Sequence, residues 1–198
     1  LLVYVSYYFR RSKINNILID FECDDFVIVN KPHGVLSHPT NTSKELTVSD
    51  FLKDKYNLSG VGDIGREGVV HRLDRVTTGL MVCPINDESF KVFKSMFHDR
   101  NIKKYYKALV EGNLQSKTGE IELPLKRSSK NRKKREVSKD GKKAITKYFT
   151  ILQKERFSLL NIELITGRNH QIRAHFEYIG NPVINDVLYG AKKNSSLE

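Results

Sequence analysis

Two runs of β-branched and aromatic residues, 144–152 and 157–165, alternate apolar with polar positions on either side of a short polar break at 153–156. A period of two is the pattern of a strand with one buried face. A break that short returns the chain alongside itself, so the pair is read as an antiparallel hairpin. Residues 16–30 repeat the signal as two strands around the acidic turn Asp24-Asp25, and residues 102–112 alternate in the same way. Helical spacing occurs in three other places. Thr47 opens a helix with Val48, Phe51 and Leu52 on one face and Asp50 in its first turn. Asn86 or Asp87 caps a second, whose stripe Phe90, Phe93, Met96 and Phe97 belongs to the core, with Lys91 and Lys94 outside. Asn169 is the expected N-cap of a third, with Ile172, Phe176 and Ile179 buried and Gly180 as its stop. Strand pairs with separate short helices make an α+β chain.

Between the first two helices lies a polar stretch with apolar flanks. Val69 and Val70 lead into His71, Arg72, Leu73, Asp74 and Arg75, and Gly79 opens an exit through Leu80, Met81 and Val82. Two extended segments around a polar turn are expected. An extended backbone through Asp74 sets Arg72 and Asp74 on one face and Leu73 on the other. Guanidinium charge nearby favours the ionised form of Asp74, which suits a nucleophile or base better than a proton donor. An ion pair at a strand end is the structural alternative.

With 34 Lys plus Arg against 23 Asp plus Glu, the 198-residue chain carries a formal charge of +11, a balance that favours a polyanionic partner such as nucleic acid. Much of the excess lies in 126–143, where Val137 is the one apolar interruption of consequence; a mobile, solvated hairpin or loop is expected, touching RNA backbone in a salt-dependent way. Cys23 and Cys83 sit in strand-like apolar contexts and support neither a disulfide framework nor a cysteine-rich metal site. His170 and His175, five apart and without acidic or cysteine company, give no metal site either. The apolar opening 1–9 is too short to span a bilayer and is read as a buried or edge strand, so no membrane partner is expected.

His71-Arg72-Leu73-Asp74 followed by Thr77-Thr78-Gly79 resembles the signature of the RluA-type pseudouridine synthases. The protein kinase loop also joins His, Arg and Asp, but in a different order and with companions that this chain lacks. Further segments match the same family in order. Asn30-Lys31-Pro32-His33-Gly34, running on to His38-Pro39, is similar to its first segment, and Lys104, Tyr106 and Ala108 to its second motif. Thr166-Gly167-Arg168-Asn169-His170-Gln171-Ile172-Arg173 is similar to the third, and 182–190 to the closing segment, with Asn185 where a Gly is usual.

The resemblance implies the pseudouridine synthase catalytic fold: a bent, mainly antiparallel mixed sheet with flanking helices and a basic central cleft. It would occupy 16–198, cut short at its C-terminus, after an extension or edge strand at 1–15. It also implies an RNA isomerase that flips a uridine of ribosomal or transfer RNA and needs no cofactor. In that reading Asp74 is the nucleophile, Arg173 its partner and Tyr106 the ring packed on the base. Arg72 serves as wedge, and His71, Arg75, Arg168, Lys31, Lys133, Lys134 and Arg135 join it in binding RNA. Glu177, at i+4, is the alternative partner for Arg173. Lys31 and His38 can equally be a turn lysine and a loop histidine, and Tyr106 a half-buried strand residue. One carboxylate rather than two argues against ordinary glycoside hydrolysis. A monomer in the cytoplasm is expected, or in an organelle if a targeting peptide precedes Leu1. The competing classes are a non-catalytic RNA-binding or assembly protein and a basic DNA-binding domain.

Overall fold

The computed structural model describes residues 17–40, 43 and 45–193; the strand expected at 1–9 and the extension at 1–15 lie outside them. The described residues form two compact units, 17–102 and 103–193. Their strands pair antiparallel, in sheets of three, four and two strands, as the hairpin signals require. Among the described residues no helix is long and apolar enough to cross a membrane.

In the first unit β1 (Leu18–Glu22), β2 (Phe26–Lys31) and β3 (Gly79–Pro84) lie in the order β1-β2-β3. Alternation along the central strand buries Val27 and Val29 completely, against Cys83 and Met81 of β3. Lys31 continues that buried row, and its cross-strand partner is Gly79, which has no side chain. Burial also pushes the Cys83 thiol up, away from thiolate chemistry. Helix α1 (Val48–Lys55) opens on a capping box: Thr47 Oγ1 accepts from Asp50 N, and the Asp50 carboxylate accepts from Thr47 N at 3.1 Å. Helix α2 (Asp87–His98) is capped by Asn86, whose Oδ1 accepts from Ser89 N at 2.8 Å and whose amide reaches back to Asp25. Phe90 is buried, Phe93 meets Phe26 edge-on at 5.1 Å, and Phe97 stacks on His71 at 4.4 Å, so the stripe is core.

The second unit is built on β4 (Tyr105–Glu111), β5 (Thr118–Glu122), β8 (Ile145–Lys154) and β9 (Phe157–Leu164), in the order β4-β9-β8-β5. β6 (Leu125–Arg127) and β7 (Arg135–Val137) form a separate ribbon. Helix α3 (Gln171–Tyr178) and a single 3-10 turn at Val187–Tyr189 complete it. Ser158, Leu160, Ile162 and Leu164 bury one face of β9, opposite Val110, Ala108 and Tyr106 of β4.

Three sequence expectations are corrected. Val69 and Val70 form no strand: Gly68, at φ +71°, turns the chain, and Val69 N bonds back to Arg66 O. The basic stretch is anchored rather than free, because Leu125, just before it, and Val137 within it pack with Ala144, Ala174, Leu188 and Tyr189. The third helix begins one residue later than Asn169 suggests, with left-handed His170 (φ +54°) in the capping place. Its interior is also more polar than its apolar stripe implies, for Gln171, Arg173 and His175 are buried while Ile179 is 37% exposed. Asn185 takes φ +62°, the left-handed conformation that a Gly would supply and that Asn tolerates at low cost.

Candidate active site

The loop after Val70 is held from three sides. Leu73 points into the core, 3% exposed, and Ser37 brackets its peptide: Ser37 Oγ accepts from Leu73 N at 3.1 Å and donates to Leu73 O at 3.0 Å. The His71 ring lies flat on Phe97, and its Nε2 accepts from Val82 N at 3.1 Å. Arg75 O accepts from Gly34 N at 2.8 Å and from Lys31 Nζ at 3.5 Å, and Thr77 N closes a turn on Asp74 O. With Leu73 turned inward, Arg72 is left exposed and Asp74 half-buried, the alternation expected of an extended segment.

Lys31 is fully buried. Its ammonium donates to Val35 O at 2.7 Å, Pro32 O at 3.1 Å and Arg75 O, three acceptors for three N–H groups. Burial pushes its pKa down to about 7; the charge of Asp74 acts the other way, and Arg75 adds to the lowering. Lys31 is therefore not a surface contact for RNA but a charge beneath Asp74 and a pin between the Pro32 turn and the Asp74 loop. Likewise His71 is a packed ring with its Nε2 already in use, and Arg75 pairs with Glu45 on the surface. Arg72 Nη1 lies 3.3 Å from His38 Nε2.

In the second unit, strand pairing puts Tyr106 on the face of β4 that carries Ala108 and Val110, with Tyr105 on the opposite face. Arg173 on α3 is 7% exposed and binds Asp186 through two bonds, Nε to Oδ2 at 2.6 Å and Nη2 to Oδ1 at 2.8 Å. Its guanidinium also lies 4.7 Å from the centre of the Tyr189 ring. Glu177, the other partner weighed for Arg173, is engaged by Lys134.

The helix that presents Arg173 is fixed at its start by Gln171, whose side chain uses all four of its hydrogen-bonding places. Oε1 accepts from Thr166 Oγ1 at 2.7 Å and from Arg168 N at 2.9 Å, while Nε2 donates to Ile145 O and Thr146 Oγ1, each at 2.9 Å. His175 Nε2 donates to Leu123 O, and its Nδ1 accepts from Thr146 Oγ1, so the ring is a structural bridge and not a metal ligand. Burial lowers its pKa, in keeping with a neutral imidazole. Arg168 donates from Nε to Lys143 O. Lys133 is exposed, whereas Lys134 lies over the Tyr189 ring and Arg135 N donates to Tyr189 Oη.

Sequence reasoning missed Ser37, Gln171, Asp186 and Tyr189. Asp186 and Tyr189 lie 13 and 16 positions beyond Arg173 and meet it only through the return of the chain.

The profile of the RNA pseudouridylate synthases matches residues 25–178. Over 181 residues the chain is 39% identical to an uncharacterized RNA pseudouridine synthase of Aquifex aeolicus, covering 89% of this chain and 57% of that protein. It is also 39% identical over 182 residues to the ribosomal large subunit pseudouridine synthase D of Borreliella burgdorferi, covering 88% of this chain and 55% of that one. Human RNA pseudouridylate synthase domain containing 1 has the same fold, with a TM-score of 0.75 at 23% identity over 96% of this chain and 75% of the other. The chain thus spans a little over half the length of the curated relatives it matches.

Proposed function

The chain belongs to the RluA-type RNA pseudouridylate synthase family, and from that premise we propose that it converts uridine in RNA to pseudouridine, with Asp74 as nucleophile. The observation that carries this reading is the build of the Asp74 loop. Ser37, Lys31 and Gly34 fix its backbone, leaving a half-buried carboxylate next to an exposed guanidinium and above a buried ammonium. A fixed carboxylate among positive charges suits attack on an electron-poor carbon.

The net reaction breaks the bond from ribose carbon 1′ to uracil N1 and forms one from carbon 1′ to uracil carbon 5. The proton leaves carbon 5, and N1 ends protonated. No electrons are gained or lost, so the chemistry calls for no redox group. In the proposed division of labour Asp74 attacks and Tyr106 packs on the uracil ring. Arg72 fills the place of the extruded nucleotide, since a stacked uridine hides its glycosidic bond. The name of the Borreliella burgdorferi relative supports ribosomal large-subunit RNA as the substrate, and the net charge of +11 supports contact with RNA backbone.

The test is tritium release from large-subunit ribosomal RNA labelled at uridine carbon 5. Wild type is expected to release tritium, and Asp74→Asn to lower the rate by about a thousandfold or more. Full activity in Asp74→Asn sinks the assignment of the nucleophile. RNA binding by wild type without any release favours a non-catalytic RNA-binding protein instead.

A further inference from the structure

Ser37 clamps the peptide of Leu73, and the next residue, His38, reaches the side chain of Arg72. His38 is only 6% exposed, yet its ring touches Arg72, an exposed residue of the Asp74 loop. Its Nδ1 lies 2.8 Å from Pro39 O, and its Nε2 lies 3.3 Å from Arg72 Nη1. A carbonyl oxygen can only accept, so Nδ1 carries the proton. A guanidinium can only donate, so Nε2 offers its lone pair. One protonation state satisfies both contacts, the neutral ring with its hydrogen on Nδ1. Burial, the first cause, lowers the pKa of His38; the Pro39 carbonyl acts against it, and the charges of Arg72 and Arg66 add to the lowering.

We propose that His38 is a positioning residue for Arg72: its neutral imidazole accepts from Nη1 and holds the guanidinium ready to enter the gap that an extruded uridine leaves. The inference rests on the function proposed above. An exposed arginine samples many rotamers, and one fixed acceptor at the base of the guanidinium narrows them before RNA arrives. A carboxylate in the same place would also hold Arg72 but would cancel the charge that draws it toward RNA. A neutral ring fixes direction and leaves the charge in place. This gives the His-Pro pair a role in the flipping step, carried out through Arg72 and not by contact with the substrate.

Two variants separate positioning from packing. His38→Leu removes the acceptor, and His38→Gln puts an amide oxygen near the place of Nε2. With large-subunit ribosomal RNA tritiated at uridine carbon 5, His38→Leu is expected to lower kcat about tenfold with little change in KM, and His38→Gln to recover most of the loss. In an Arg72→Ala background, His38→Leu is expected to cost nothing further. A cost that persists undiminished in that background, or equal loss in both His38 variants, overturns the proposal in favour of simple packing. A wild-type rate in His38→Leu overturns it too. Nitrogen-15 spectra of the histidine rings give a readout that needs no substrate. His38 is expected to carry its hydrogen on Nδ1, with an Nε2 resonance that moves in Arg72→Ala. A hydrogen on Nε2 overturns the geometry. Absence of tritium release by wild type refutes the function itself and leaves the ring spectra to decide the His38–Arg72 contact.

Discussion

Each unit buries a cation, Lys31 in the first and Arg173 in the second, and the two units satisfy that cation by opposite means. Lys31 gives its three N–H groups to main-chain carbonyls at Pro32, Val35 and Arg75. Arg173 gives two of its groups to a carboxylate, Asp186, and lays its plane on Tyr189. Carbonyl dipoles hold an ammonium without cancelling its charge, so the field of Lys31 still reaches Asp74. A carboxylate fixes a guanidinium in direction while neutralising most of its charge. The first arrangement tunes a loop electrostatically; the second aims a side chain.

The comparison breaks most readily at Asp186. Both partners are less than a tenth exposed, so Asp186→Ala leaves a buried guanidinium without that counter-charge and should cost about 3–5 kcal/mol in urea unfolding. A loss below about 1 kcal/mol means that Arg173 is not held by charge matching. Next in size is Lys31→Met, which deprives Val35 O of its buried donor and should cost about 2 kcal/mol.

The sign of the pH dependence sharpens that second case. Lys31 holds its proton to 10.5 when unfolded but only to about 7 when folded, so between these values the unfolded chain binds more protons. Stability from this group therefore rises with pH across the window, and Lys31→Met should remove that rise. Parallel profiles for wild type and Lys31→Met sink the account. Below pH 6.5 the lowered histidines His33, His38 and His175 act in the same sense, since each resists the proton that the unfolded chain accepts. Stability should fall as acid is added.

A smaller effect is expected at Tyr189, whose hydroxyl accepts from Arg135 N at 2.8 Å and lies 2.9 Å from His170 Nδ1. Tyr189→Phe keeps the ring beneath Arg173 and should cost about 1 kcal/mol, with faster amide exchange at Arg135. If exchange at Arg135 does not change, the bond to Tyr189 Oη does not hold the ribbon of β6 and β7.

These cases also mark what the sequence could reveal. Hairpins, the Thr47 and Asn86 caps and the inward Leu73 were legible because their signals are local: a period of two, a capping residue, a short turn. The burial of Lys31 and the packing of His71 were hidden for a physical reason. A basic residue in a basic chain suggests solvent, and only the register of β2 with β3 shows that position 31 continues a buried row. Asp186 and Tyr189 gave no local signal for Arg173, because their contact depends on the left-handed turn at Asn185 and the return of the chain. The polar interior of α3 was hidden for a related reason. An apolar stripe reports what oil would bury, whereas Gln171 and His175 are buried because every donor and acceptor they carry is matched.

The finest test lies in two adjacent lysines that sequence alone could not tell apart. Lys133 is exposed, while Lys134 is bound to Glu177 and lies 4.9 Å from the centre of the Tyr189 ring. If exposed cations of the ribbon meet RNA and matched ones build the fold, the two should separate by measurement. Lys133→Ala should leave stability within about 0.5 kcal/mol of wild type and reduce the salt slope of RNA binding by about 0.7–0.9. Lys134→Ala should cost about 0.5–1 kcal/mol in unfolding, because its partner is partly solvated, and should change the slope less. The reverse result, an unchanged slope in Lys133→Ala and a reduced one in Lys134→Ala, would mean that RNA displaces Glu177 from Lys134. The ribbon would then rearrange on binding, and the division between cations that hold the fold and cations that meet RNA would fail where it is drawn most finely.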